Sequence, residues 1–164
     1  MRDVPIGDSC SCALRHWASD VRLWVAVDGQ VVVCALNLGD DLVGHPGTVH
    51  GGMTATLADQ LFGVLYSVCG NDGKGFTAHL GVDYKRPWMA GQPAVFIARV
   101  IKKQGRKVTD TCRGMLRASL LFSRGVAVNV PQYMFEGEFL HAQSGHVIAK
   151  ADALFVRARK PGDH

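Results

Sequence analysis

Apolar and polar positions change period along the chain, and each change marks an element. Residues 30–38, QVVVCALNL, are almost continuous in apolar and β-branched residues, which predicts a buried strand. The stretch GDDLVGHPGTVHGG that follows is rich in glycine and contains Pro46, so it predicts a loop. Met53 to Cys69 is long enough for a helix, and Gly70-Asn71-Asp72-Gly73 ends it with residues that tolerate positive φ. Its apolar residues go nearly all the way round, which predicts burial on most sides. In Gly75–Trp88, the residues Phe76, Ala78, Leu80, Val82 and Tyr84 alternate with Thr77, His79, Gly81, Asp83 and Lys85. That is the pattern of a half-buried strand, closed by Pro87. Residues 94–103 predict another strand, Gln104-Gly105 a turn, and 106–115 the partner strand. His146–Arg157 predicts the last strand. Residues 1–28 read as an N-terminal extension with a short helix around Cys12–Arg22. Residues 116–145 read as an insertion, an extra hairpin made of Leu116–Phe122 and Val126–Phe135 around Arg124-Gly125. Few strands are separated by helices, so the sheet is expected to be antiparallel. The expected architecture is one α+β domain over 1–164, with an antiparallel sheet wrapped around one long central helix.

Composition narrows the function classes. A chain of 164 residues with 48% hydrophobic and 20% charged residues suits one globular core. The net charge of +4 fits an anionic small ligand without demanding one. Lys and Arg are scattered and no nucleic-acid motif occurs, so a nucleic-acid partner is not expected. Five cysteines, Cys10, Cys12, Cys34, Cys69 and Cys112, show no zinc spacing and read as reduced thiols of an intracellular protein. The stretch around residue 60 carries Asp59, Gln60 and several glycines, which argues against a membrane span. The N-terminus lacks an apolar secretory core, so a cytoplasmic location is expected. Arg2, Arg15 and Arg22 leave a mitochondrial alternative, against which Asp3 and Asp8 count.

One acid stands out. Between Asp41 and Asp72, Asp59 is the only Asp, Glu, Lys or Arg, and Leu57, Ala58, Leu61 and Phe62 surround it in sequence. A buried carboxylate without a partner is costly, and no cation lies within a helical turn or two of it. The bland alternative is a structural carboxylate bonded to neighbouring backbone. Gly51 and Gly52 stand at the start of the same helix, where free N–H groups point outward and favour negative charge. Gly51 and Asp59 are eight residues apart, or ~12 Å along a helix at ~1.5 Å per residue. A single reacting carbonyl cannot touch both at ~3 Å. If both act on one substrate, they must come from two copies of the chain, which implies a homodimer with two equivalent sites.

The run HGGMTATLAD resembles the HGG-x6-D signature of hot-dog acyl-CoA thioesterases, close to the phenylacetate-pathway type. GHPGTVHGG followed by TAHLGVDYKRP is similar to the mammalian thioesterase-superfamily proteins that hydrolyse fatty acyl-CoA. The resemblance covers about residues 31–115 and 146–157, with GRKV at 105–108 and HVIAKADALFV also fitting it. It implies a hot-dog fold, an acyl-CoA substrate, no cofactor and a homodimer, with a homotetramer as the alternative. By position it implies Asp59 as nucleophile or general base and the Gly51 N–H as the group that polarises the thioester carbonyl. His50 shapes that loop or contacts substrate, and Thr77 assists the acid or its water. Gly52 and His45 belong to the same loop and helix start and are assigned to substrate binding with Asp83, which falls where relatives carry Asn. Lys85 and Arg86 are the cations expected to meet the phosphates of coenzyme A, although solvated charges at a strand end are nearly as good a reading.

Chemistry fits these parts. A thioester is already an activated acyl group, so no metal is needed, and His45 with His50 reads as loop packing rather than a metal site. The expected function is hydrolysis of a fatty or aromatic acyl-CoA to free acid and CoA. The alternative is a non-catalytic acyl-CoA-binding or regulatory protein on the same scaffold. A dehydratase needs a His paired with an acid on this helix, and none lies between His50 and His79. No GxSxG occurs for serine hydrolase chemistry.

Overall fold

The long apolar run forms one helix, and a single curled sheet covers one side of it. The computed structural model describes residues 1–3, 18–69, 75–104 and 132–157. Its elements are β1 (Arg2–Asp3), β2 (Ala18–Val25), β3 (Val31–Leu38), a one-turn 3-10 helix (Asp40–Leu42), β4 (Val43–His45), β5 (Thr48–Val49), α1 (Gly51–Val68), β6 (Gly75–Tyr84), β7 (Ala94–Gln104), β8 (Gln132–His141) and β9 (Val147–Arg157). The main sheet runs β1-β2-β3-β7-β8-β9-β6, with β4 and β5 as a separate small hairpin. Every neighbouring pair in the main sheet is antiparallel. β6, which follows the helix in sequence, is an edge strand.

Alternation explains which face each strand turns to the helix. On β3 the inward residues are Val32, Cys34, Leu36 and Leu38, all buried, with half-buried residues between them. On β7 they are Ala94, Phe96 and Ala98, on β8 Phe135 and Phe139, and on β9 Ala149, Ala151, Ala153 and Phe155. The helix answers with Leu57, Ala58, Leu61, Phe62 and Leu65, each with no exposed surface. Phe62 is the central knob. Its ring meets Phe96 edge-on at 5.5 Å and stacks on Phe135 at 5.9 Å, and Phe96 in turn lies 4.4 Å from Phe139. Gly137 makes room for this cluster, since a Cβ there would sit 2.5 Å from the Phe96 ring. Burial of the Cys34 thiol pushes its pKa up to about 12, so it is a neutral core side chain.

Several expectations are met. The predicted strands at 30–38, 75–88, 94–103 and 146–157 and the predicted helix are β3, β6, β7, β9 and α1, with ends shifted by a few residues. Three differ. The partner of β7 is β8, in register from Ala94↔His141 to Gln104↔Gln132, whereas the expected partner at 106–115 lies outside the described residues. Residues 132–141 are therefore a strand of the main sheet, although they fell within the expected insertion. The added length lies between β7 and β8, over 105–131, and outside the described residues. The alternation of Phe135, Gly137 and Phe139 inward with Glu136 and Glu138 outward is a strand signal. It was lost beside the apolar run before it. Likewise, residues 18–22 of the helix expected around Cys12–Arg22 are in β2, paired with β3, and 12–17 lie outside the described residues. The rest of the expected hairpin lies there too.

The third difference concerns α1, which is open on one side. Gly52, Thr56, Asp59, Gln60, Gly63 and Ser67 line that side and are exposed or half-buried. These residues recur at three and four positions, so small and polar residues form their own stripe among the apolar ones. No described helix is long and apolar enough to cross a membrane.

Phe62→Ala is expected to lower stability by about 3–5 kcal/mol, because the aromatic cluster around it cannot collapse into the space. Denaturant melts of the purified protein measure this directly.

Candidate active site

The start of α1 is held from several directions. His50 is its N-cap, with extended backbone (φ −63°, ψ 131°). The His50 N–H donates to the Leu42 carbonyl at 2.8 Å, which ties the helix start to the 3-10 turn before it. The His50 carbonyl accepts from the N–H groups of Met53 (2.9 Å) and Thr54 (3.2 Å). Its ring Nδ1 accepts from the Gly52 N–H at 3.0 Å. A helix start leaves four N–H groups without an intrahelical partner. Here those of His50, Gly52 and Met53 are used, and the Gly51 N–H makes no hydrogen bond among the described residues. It stays open where the helix carries its partial positive charge.

Gly51 is also held from the sheet. The Tyr84 hydroxyl, on β6, donates to the Gly51 carbonyl at 2.7 Å. The Tyr84 ring lies over Gly51, and a Cβ at that position would sit 3.3–3.4 Å from ring atoms. Only glycine leaves that approach relaxed.

Asp59 lies two turns further along α1, on its open side, half-buried. Thr77 of β6 donates its hydroxyl to Asp59 Oδ1 at 2.7 Å. A register shift between Thr77 and His79 turns Thr77 toward the helix, opposite Phe155, while His79 points outward toward Asp152. Among the described residues Asp59 makes no ion pair. Its second oxygen carries no hydrogen bond there.

The other expected site residues are distributed as follows. His45 is exposed at the end of β4, and Gly52 is exposed on the first turn of α1. Asp83 forms an ion pair with Lys85. Its register partner is Lys150, on the sheet face turned away from the helix. Asp83, Arg99, Glu136, Lys150 and Asp152 line a groove of about 530 Å³ on that outer face, which neither Asp59 nor Gly51 borders. The N–H groups of Lys85 and Arg86 both donate to the Ile148 carbonyl, at 2.8 and 3.0 Å, and both side chains are exposed. The structure thus brings His50, Gly51 and Gly52 together at the helix start and Asp59 together with Thr77. It sets Asp83 on the opposite face. Tyr84 was not singled out in the sequence: alternation put its ring on the helix side, but nothing in the pattern pairs it with Gly51. No group of three or more His, Cys, Asp or Glu that could hold a metal occurs among the described residues.

A family model for the thioesterase superfamily matches residues 46–115, which include His50, Gly51, Asp59, Thr77 and Tyr84. Acyl-coenzyme A thioesterase THEM4 of Xenopus laevis is 39% identical over 83 residues, 50% of this chain and 36% of that protein. The PaaI protein of the E. coli phenylacetic acid degradation operon superposes with a TM-score of 0.65 at 18% identity, over 93% of this chain and 86% of that one. The chain is thus similar to the thioesterase superfamily over residues 46–115. Its sheet curled round one helix is the hot-dog fold. Human acyl-coenzyme A thioesterase 13 is 29% identical over 91 residues, 56% of this chain and 64% of that protein. The match to the THEM4 proteins of frog and rat spans only about a third of their length.

His50→Ala removes the ring acceptor of the N-cap. A loss of roughly 0.5–2 kcal/mol in stability is expected. Thermal or urea unfolding checks it, with His50→Asn expected to recover most of the loss, since Asn also accepts at this position.

Proposed function

We propose that the protein is an acyl-CoA thioesterase that hydrolyses a fatty or aromatic acyl-CoA to the free acid and coenzyme A. One observation carries the reading: α1 holds an oriented carboxylate at Asp59 and an open backbone donor at Gly51, the two groups that thioester hydrolysis requires. The match of residues 46–115 to the thioesterase-superfamily model supports it, as do the names of the relatives that align with this part of the chain.

The chemistry runs as follows. The thioester carbonyl oxygen accepts from the Gly51 N–H, and charge grows on that oxygen as its carbon is attacked. Asp59 in its ionised form either takes a proton from an attacking water or attacks the carbon itself to give an anhydride that water then opens. Thr77 holds one oxygen of Asp59, which fixes the carboxylate and leaves the other oxygen to act. The C–S bond breaks as the tetrahedral carbon collapses. The coenzyme A sulfur leaves as a thiolate, a good leaving group that takes its proton from solvent. His50 shapes the donor by capping Gly52. His45 and Gly52 are the remaining substrate-binding candidates, Asp83 facing the outer groove instead, and the exposed Lys85 and Arg86 are suited to the phosphates of coenzyme A.

Two copies of the chain are needed. Within one helix Gly51 and Asp59 are ~12 Å apart at ~1.5 Å per residue, too far to serve one carbonyl. Each site therefore takes Gly51 from one copy and Asp59 from the other. The open stripe of α1 and the edge of β6, which pairs with no further strand among the described residues, suit such a dimer, because a second copy would extend the sheet and cover both. Phe76 and Tyr84 on that edge strand are 60% and 53% exposed, which is apolar area for an interface to bury. A homotetramer is the further alternative. The buried, reduced thiol of Cys34 suits a cytoplasmic location.

The test is a panel of acyl-CoA substrates, short, long and aromatic, followed by release of free thiol, with wild type beside Asp59→Asn. Turnover by the wild type and a loss of at least ~10²-fold in the folded variant are expected, the scale of losing one central catalytic group. Tight acyl-CoA binding with no turnover would move the protein to the rival class, a binding or regulatory protein.

A further inference from the structure

The sequence motifs account for His50, Gly51, Asp59 and Thr77, but not for the residue that grips Gly51 from the sheet. We infer that Tyr84 is a positioning residue, whose hydroxyl and ring together set the direction of the Gly51 N–H. The inference rests on the proposed thioesterase reading, in which that N–H is the oxyanion donor.

Three features of the geometry converge. First, the Tyr84 hydroxyl donates to the Gly51 carbonyl at 2.7 Å. A carbonyl in the first turn already accepts one intrahelical bond from four residues on, so Tyr84 uses the second lone pair. Second, the ring closes over Gly51, 3.3–3.4 Å from where a Cβ would be and so tighter than an ordinary contact. The peptide units on both sides of Gly51 are therefore restrained: the one before it by the Met53 and Thr54 N–H groups on the His50 carbonyl, and the one after it by Tyr84. Third, the N–H of Gly51 itself is left without a hydrogen bond among the described residues. First turns of helices fray when free, and an oxyanion donor is effective only when it is already aimed.

The same strand performs the matching task at the acid. Thr77 and Tyr84 are both on β6, both on its helix-facing side, and they bind Asp59 and Gly51 respectively. β6 thus ties α1 at both functional points. Tyr84 is 53% exposed within one chain, outside its core, and loss of the hydroxyl alone keeps the ring that the proposed interface would bury, so the fold and the dimer should stay intact.

Tyr84→Phe keeps the ring and removes only the hydroxyl. For the folded full chain acting on the best substrate of the panel, kcat is expected to fall roughly tenfold with KM unchanged. That is a fraction of the ~10²–10³ lost when a donor is removed outright. Tyr84→Ala, which also removes the ring, is expected to fall further. The second readout is the infrared carbonyl stretch of a bound, non-hydrolysable ketone analogue of acyl-CoA, labelled with ¹³C. In wild type it should shift to lower frequency on binding, and in Tyr84→Phe the shift should shrink and the band broaden. A merely structural tyrosine would change the melting temperature and not the band. Wild-type kcat in Tyr84→Phe, or a lowered kcat with an unchanged carbonyl shift, overturns the role given to Tyr84 while leaving the thioesterase intact. A wild-type protein that turns over no acyl-CoA overturns the functional reading, and this inference with it.

Discussion

Phe62 seated among the rings of Phe96 and Phe135 decides where α1 lies, and the rest of the site follows from that seat. Once Leu57, Ala58, Leu61, Phe62 and Leu65 are turned into the sheet, the helical period forces Gly52, Thr56, Asp59, Gly63 and Ser67 to the other side. Asp59 therefore escapes the cost of full burial, although apolar residues flank it in sequence. It also comes within reach of β6, whose Thr77 supplies the hydroxyl that orients it. Core packing and site chemistry are thus two faces of one helix. Damage to the first is expected to misplace the second.

The central helix and most strands were legible because each carried one unbroken period. QVVVCALNL and GFTAHLGVDY hold a strand pattern from end to end, and the segment after HGG holds a helical length without proline. β8 was not legible. Its inward Phe135 and Phe139 are separated by Gly137 and flanked by Glu136 and Glu138, and it follows the apolar run Val126–Val130, so the pattern merged with its neighbour. Gly137 itself is the space that the Phe96 ring occupies. β2 was obscured by the mixed composition of the first residues. It is recognisable only through its pairing with β3.

The candidate site divides in the same way. The isolation of Asp59 and the pair of glycines are local facts of the chain, so sequence was enough to single them out. Thr77 came through the motif, and the register shift after it, which turns its side chain toward Asp59, needed the fold. The grip of Tyr84 on Gly51 joins residues 33 positions apart and left no trace in periodicity. Asp83 shows the converse: neighbours in sequence on a strand face opposite ways, so its place in YKRP's shadow says little about whether it reaches the helix.

The proposal of a site shared between two copies rests on the separation of donor and acid along a single helix. Subunit complementation tests that most directly. Gly51→Pro removes the N–H at the first helical position, where the backbone of proline suits a helix although its ring displaces that of Tyr84, and Asp59→Asn removes the acid. Each homodimer should be inactive. A heterodimer of the two variants, purified with two different tags, has one doubly damaged site and one site in which Asp59 and Gly51 are both intact. The expected result is recovery of about half the wild-type kcat per dimer, one working site of two. Heterodimers as inactive as either parent would contradict a site shared between two copies.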